Sequence, residues 1–146
     1  MAFIGEYQHA MGEKGRVAIP VKFRKSLQGG VVVTRGIENH LYIYPKDIWE
    51  RLAAKLSRLP INQANSRAFS RHMLGGAVEA EIDSQGRILI PEFLRTHADI
   101  KNEAVMVGLY DKVEVWAKSR WEEYRRKTEE NTESIAEQLG GLADGK

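Results

Sequence analysis

The sequence predicts a mixed α+β fold: two tandem copies of one small β-hairpin motif, interlocked in a pseudo-twofold, β-barrel-like core with helices outside. Three observations predict it. The chain contains an internal repeat, the repeat keeps its glycines and prolines at matching points, and each copy is too short to stand alone. Gly15-Arg16-Val17-Ala18-Ile19-Pro20-Val21-Lys22-Phe23-Arg24 aligns with Gly86-Arg87-Ile88-Leu89-Ile90-Pro91-Glu92-Phe93-Leu94-Arg95, sharing Gly, Arg, Ile, Pro and the final Arg at one offset. After a shift of one residue the match resumes, Val33 with Val105, Gly36 with Gly108, Leu41 with Val113, Ile43 with Val115, Lys46 with Lys118 and Trp49 with Trp121. Upstream, Gly5 falls on Gly76 and Met11 on Ile82. Unrelated segments seldom keep Gly, Pro and Trp in register together, so a duplication organises the chain.

Each copy reads in the same order. An opening strand, Glu6 to Met11 or Ala77 to Ile82, runs into a tight turn containing Gly15 or Gly86. A short apolar strand follows, Val17–Ile19 or Ile88–Ile90. Pro20 and Pro91 then sit at the first position of a short helix, where a missing N–H costs nothing. In the first of these helices Phe23 and Leu27 lie four apart and face the core, with Lys22 and Lys25 towards water. Two strands come next, around Val31–Arg35 and Leu41–Tyr44 in copy one and Ala104–Val107 and Lys112–Trp116 in copy two. A helix closes each copy: Ile48, Leu52, Leu56 and Leu59 are spaced for one, and a long charged one runs from about Ser119 through Leu139. Pro60–Gly75, between the copies, reads as a loop followed by a helix. The copies are thus expected over 5–48 and 76–119, with a C-terminal helix and tail over 120–146. A copy of about 45 residues with four short strands cannot bury enough apolar surface by itself, so the two must share one core.

Composition excludes several function classes. With no cysteine in the chain, disulfides, zinc–thiolate sites and cysteine nucleophiles are ruled out. The N-terminal Met1-Ala2-Phe3-Ile4-Gly5-Glu6 has too short an apolar part for an export signal, and no apolar run approaches the roughly 18 residues of a membrane span. His9, His40, His72 and His97 show no spacing that pairs two ligands, so no metal is expected. A Gly-x-Ser-x-Gly elbow and a P-loop are both missing. No enzymatic activity, cofactor or small-molecule substrate is therefore expected. Charge is informative through its distribution: residues 1–60 carry ten Lys/Arg against five Asp/Glu, about +5, and the remainder twelve against fifteen, about −3. Such polarity suggests a basic face directed at a polyanion.

The paired turns concentrate that charge. Copy two reads Asp83-Ser84-Gln85-Gly86-Arg87, in which Asp83 can accept turn N–H groups and pair with Arg87, while Gly86 supplies a positive φ. Copy one reads Gly12-Glu13-Lys14-Gly15-Arg16. It lacks the carboxylate, so Arg16 is free to make bidentate bonds to phosphate or a guanine edge, with Lys14 beside it. These residues are the leading candidates for binding double-stranded DNA. Lys22, Arg24 and Lys25 are secondary candidates, since an exposed helix face carries such residues anyway. Arg87 is a candidate in copy two; Gly15, Asp83 and Gly86 structure the turns. Tyr42, Tyr44, Trp49, Trp116 and Trp121 follow the repeat and read as core aromatics, which disfavours single-strand base stacking.

The same residues carry a family resemblance that spans nearly the whole chain. Phe3-Ile4-Gly5-Glu6-Tyr7, Lys14-Gly15-Arg16 with Ile19-Pro20 and Phe23-Arg24, Tyr44-Pro45 before Trp49, Gly76-Ala77-Val78-Glu79, and Asp83 through Pro91 resemble the MraZ family. The resemblance implies an AbrB-like swapped-hairpin fold and a DNA-binding transcription factor of the cytoplasm, associated with the nucleoid. It further implies binding to repeated boxes upstream of the division and cell-wall gene cluster, and assembly into a homo-oligomeric ring. The family's Asp-x-x-x-Arg signature falls intact on Asp83 and Arg87. In copy one it falls on Gly12 and Arg16, so the Asp is absent there. Two rival functions keep this fold: an antitoxin-like module whose main partner is a protein, and a ring scaffold whose basic turns are only solvated. The long C-terminal helix, with Trp121, Tyr124, Ile135 and Leu139 among charges, has two possible partners, its own core and a neighbouring subunit.

Overall fold

In the computed structural model, which describes residues 2–142, copy one runs β1 (Phe3–Ala10), β2 (Arg16–Ala18), α1 (Val21–Arg24), β3 (Val31–Arg35), β4 (Leu41–Pro45) and α2 (Lys46–Ser57). After α3 (Ala64–Gly75), copy two repeats the order as β5 (Val78–Ala80), β6 (Arg87–Leu89), α4 (Glu92–Ala98), β7 (Glu103–Tyr110), β8 (Val113–Ala117) and α5 (Lys118–Gln138). Residues 143–146 of the expected tail lie outside the described residues. Pro20 and Pro91 stand one residue earlier than expected, as N-caps whose carbonyls accept the first helical bonds, from Phe23 N at 2.8 Å and Leu94 N at 3.1 Å.

Strand order states how the copies interlock. One antiparallel six-stranded sheet runs β1-β7-β8-β4-β3-β5, and a two-stranded ribbon pairs β2 with β6. Exchanging each strand for its counterpart merely reverses the six-stranded order, which is the signature of a pseudo-twofold axis. The axis passes through the Tyr42–Glu114 pair in the sheet and the Val17–Ile88 pair in the ribbon. The opening strand of each copy is donated to the third strand of the other, β1 to β7 and β5 to β3.

Period-2 alternation then divides the side chains between two faces. Inward, Val31, Val33, Leu41, Ile43, Ala104, Met106, Val113 and Val115 join Val17, Ile19, Ile88, Ile90, Phe23, Leu27 and Leu94 in one core shared by both copies. Burying a residue such as Ile43, fully enclosed here, contributes roughly 1.5–3 kcal/mol. Outward, Tyr42 and Tyr44 meet Leu56 of α2 and Met73 of α3, whereas Val105, Val107 and Trp116 are covered by Trp121 of α5. The expected core aromatics therefore pack on the sheet's outer face beneath helices, with Trp49 and Trp121 only half buried.

The third strand corrects the sequence alignment. Val33 pairs with Ile43 and Val78, and Met106 pairs with Val115 and Tyr7, so the residue equivalent to Val33 is Met106 rather than Val105. Val33 and Met106 both point into the shared core; Val105 points the opposite way. Two loop changes cause this. Five residues (99–103) separate Ala98 from Ala104 where three (28–30) separate Leu27 from Val31, and the β7–β8 connection is one residue shorter than β3–β4. Gly36 and Gly108 are consequently not counterparts. A β-carbon on Gly36 would meet the His40 ring, and one on Gly108 would lie 2.5 Å from the Ile4 nitrogen across the sheet.

α5 has no buried residue. It is anchored near its start, where the rings of Trp121 and Tyr124 pack at a tilt against Trp116, and Glu6 of β1 accepts from Trp121 Nε1 at 3.0 Å and Arg125 at 3.2 Å. Beyond that point Ile135 and Leu139 are exposed. Among the described residues no helix is long and apolar enough to cross a membrane.

Tertiary structure also brings together histidines that sequence spacing keeps apart. The His72 and His97 rings lie 5.6 Å apart where the ends of α3 and α4 meet, and His72 Nε2 is 2.7 Å from the Gly36 carbonyl. Among the described residues no group of three or more His, Asp or Glu is placed to hold a metal. The Nε2 atoms of His9 and His97 are buried without a hydrogen-bond partner. Burial, with His72, Arg35 and His40 nearby, holds the His97 ring below its ordinary 6.5, and burial together with Arg24 does the same for His9. A base whose folded pKa is depressed binds more protons when unfolded, so its stability contribution is intact above about pH 6.5 and is lost as pH falls below it. Urea denaturation is expected to show a lower midpoint at pH 5.5 than at pH 7.5, with the difference reduced in His97→Gln; an unchanged difference in that variant would acquit His97.

Candidate nucleic-acid interface

The β2–β6 ribbon carries the candidate residues. Its pairs are Arg16↔Leu89, Val17↔Ile88 and Ala18↔Arg87. Directly opposed residues share a face, so Val17 and Ile88 point into the core and Arg16, Ala18, Arg87 and Leu89 point outward. Arg16 and Arg87 are diagonal neighbours related by the pseudo-twofold axis, with Cα atoms roughly 7–8 Å apart. A two-stranded ribbon of this width fits the DNA major groove, where a guanidinium can bond a guanine edge in bidentate fashion.

The two turns are built differently. In copy two, Asp83 Oδ1 accepts from the Gln85 N–H at 2.8 Å and the Arg87 N–H at 3.0 Å, and Arg87 Nε donates to Oδ2 at 3.2 Å. The Arg87 N–H above all, then that of Gln85 and the guanidinium, hold the Asp83 carboxyl below its ordinary range. The expected Asp83–Arg87 pair is therefore present. In copy one, Lys14 takes a left-handed conformation at φ 59°. Gly12 N still donates to Arg16 O, at 2.6 Å, but the side-chain acceptor is missing. Among the described residues, neither Arg16 nor Lys14 forms an ion pair.

Charge breaks the symmetry further. Lys14, Lys22 and Lys25 are all exposed, and their counterparts in copy two are Gln85, Phe93 and Thr96. The free cations at the ribbon thus cluster on the copy-one side. Exposed apolar groups stand on both sides: Val21, Leu89 and Phe93.

Arg24 departs from the expectation of an exposed helix residue. It is half buried, and its Nε donates to Ile19 O at 2.8 Å. Its counterpart Arg95, which the sequence reading did not single out, donates from Nε to Ile90 O at 2.9 Å. Each guanidinium lies against the turn glycine of the other copy. A β-carbon on Gly15 would come within 2.7 Å of Arg95 Nε, and one on Gly86 within 2.6 Å of Arg24 Nε. The recurrence of Arg as the last residue of both aligned blocks was the available signal. The turn glycines also need their positive φ, 83° at Gly15 and 76° at Gly86.

Gly86→Ala is expected to destabilise the protein by more than about 1 kcal/mol, since left-handed backbone and steric contact both oppose the methyl group. Thermal melts of this variant and of Gly15→Ala measure it, and a melting temperature unchanged in both would contradict this account of the turns.

Comparison with known proteins agrees with the duplication and the fold. The family model described as "MraZ protein, putative antitoxin-like" matches twice, over residues 2–72 and 73–141. A Pediococcus pentosaceus protein named transcriptional regulator MraZ is 49% identical, covering 94% of this chain and 96% of that protein. Relatives of the same name from Caldanaerobacter subterraneus and a Thermoanaerobacter species are 46% and 47% identical, covering 93% and 95% of this chain and 95% and 97% of their own lengths. With both halves matched by the family model and relatives alike from end to end, the chain belongs to the MraZ family.

Proposed function

We propose that this protein is a sequence-specific, double-stranded-DNA-binding transcription regulator that reads the major groove with the outer face of the β2–β6 ribbon. The observation that carries the proposal is the position of Arg16, outward on the ribbon, without an ion-pair partner among the described residues and flanked by Lys14. Lys22 and Lys25 contact flanking phosphates and Arg87 makes a secondary contact, because Asp83 already holds its guanidinium. The names of the relatives support a regulatory role. Repeated boxes upstream of a division and cell-wall gene cluster are the proposed target, in the cytoplasm and at the nucleoid.

Magnitudes favour a homo-oligomeric ring. If one subunit neutralises about three phosphates, its salt slope is only about −2.7, and binding near physiological salt is weak. Linking several subunits makes later contacts intramolecular and adds roughly 10²–10⁴ in avidity. Repeated boxes would let a ring use this gain.

Fluorescence anisotropy over a salt series tests the reading, with the duplex upstream of the gene compared with a scrambled one. A preference for the native duplex that survives moderate salt is expected. Arg16→Ala should lose about 5- to 150-fold, the worth of one bidentate base contact, and Arg87→Ala less. Equal and steeply salt-sensitive binding to both duplexes would reduce the ribbon to a non-specific patch and favour a protein partner, as the antitoxin-like description suggests. Equal losses from Arg16→Ala and Arg87→Ala would remove the asymmetry.

A further inference from the structure

Two hydrogen-bonded relays cross between the copies at the ribbon. In the first, Arg95 Nε donates to Ile90 O at 2.9 Å, and the N–H of the same Ile90 donates to Gly15 O at 2.9 Å. Arg95 also lies against Gly15, the residue immediately before Arg16. In the second, Arg24 Nε donates to Ile19 O at 2.8 Å, Ile19 N donates to Gly86 O at 2.8 Å, and Arg24 lies against Gly86, the residue before Arg87. Neither ribbon arginine is therefore supported by the repeat-equivalent arginine, Arg24 or Arg95, of its own copy.

We propose that Arg95 and Arg24 are positioning residues that act crosswise: Arg95 of copy two aims Arg16 of copy one, and Arg24 of copy one aims Arg87 of copy two. The inference rests on the ribbon face being the DNA-reading surface. The physical reason is the geometry of the clamp. Gly15 is held in a left-handed conformation whose carbonyl is fixed by Ile90, and Ile90 is fixed by the planar guanidinium. A guanidinium offers its Nε–H in a rigid fork, which a lysine ammonium on a flexible stem cannot reproduce. Loosening the relay leaves Arg16 on its strand but lets the residue before it drift, and a bidentate base contact tolerates little misalignment. Arg16 needs the relay more than Arg87 does, because the Asp83 carboxylate braces Arg87 a second time.

The arrangement predicts crossed coupling rather than a general loss. In the full chain, Arg95→Lys should weaken binding to the native upstream duplex about 3- to 10-fold, an ordinary size for coupled neighbours. It should also lower the ratio of native to scrambled affinity. In an Arg16→Ala background that loss should vanish; in an Arg87→Ala background it should persist in full. Amide ¹H–¹⁵N shifts in Arg95→Lys should move at Gly15 and Arg16 and stay at Gly86 and Arg87, with the opposite pattern for Arg24→Lys. If Arg95→Lys does not fold, Arg95→Gln takes its place in the same cycle. Additive losses in all backgrounds, or coupling of Arg95 to Arg87, would overturn the crossed assignment and leave a general structural role. Unchanged binding in both Arg16→Ala and Arg87→Ala would instead refute the ribbon as the reading surface, and the assignment with it.

Discussion

The structure depends on one constraint: neither copy can complete its own sheet. β3 receives its outer neighbour from copy two and β7 receives its outer neighbour from copy one. The shared core follows, because residues from both copies must fill the single space between the six-stranded sheet and the ribbon. The ribbon itself follows, since among the described residues β2 and β6 pair along their length with each other, apart from one bridge between Val17 and Met11. Its outer face is therefore a composite surface that half the chain could not form.

Duplication supplies a symmetric frame, and the side chains then make it unequal. At the two turns the backbone bonds correspond closely, Gly12 N to Arg16 O and Asp83 N to Arg87 O. The chemistry does not correspond. Copy two spends its carboxylate on its own arginine, and copy one leaves the arginine open, with Lys14 on its turn and Lys22 and Lys25 exposed further along the chain. A groove lying across the pseudo-axis would meet a strongly basic side and a nearly neutral one. If the proposed reading surface is right, such a face would give the protein a direction along the duplex, which a face with two equal halves would lack.

Much of the fold was legible because the repeat carries its punctuation with it. Gly15 and Gly86, Pro20 and Pro91, and the Ile19 and Ile90 positions mark strand, turn and helix in both copies. The glycine at position 12, where copy two has Asp83, was enough to mark Arg16 as the arginine without a local carboxylate. The third strand was not legible. Two unequal loops nearly cancel in the count, and a valine aligns with a valine whichever face it occupies. Only the pairing of Met106 with Val115 and Tyr7 resolves it. The meeting of His72 and His97, and the reach of Arg24 and Arg95 across the pseudo-axis, were also hidden. These contacts are set by how helices dock, and no local period reports that.

The exchange of opening strands has a consequence for synthesis. The residue opposite Phe3 is Tyr110, so β1 leaves the ribosome more than a hundred residues before that partner exists. At about 5–20 residues per second that delay is roughly 5–20 s. Until residues 103–110 emerge, β1 has no strand to pair with, and Phe3 has only the copy-one part of its core, such as Phe23, to pack against. The nascent chain therefore passes through a long interval in which another copy of itself, translated from the same message, offers the same missing strand.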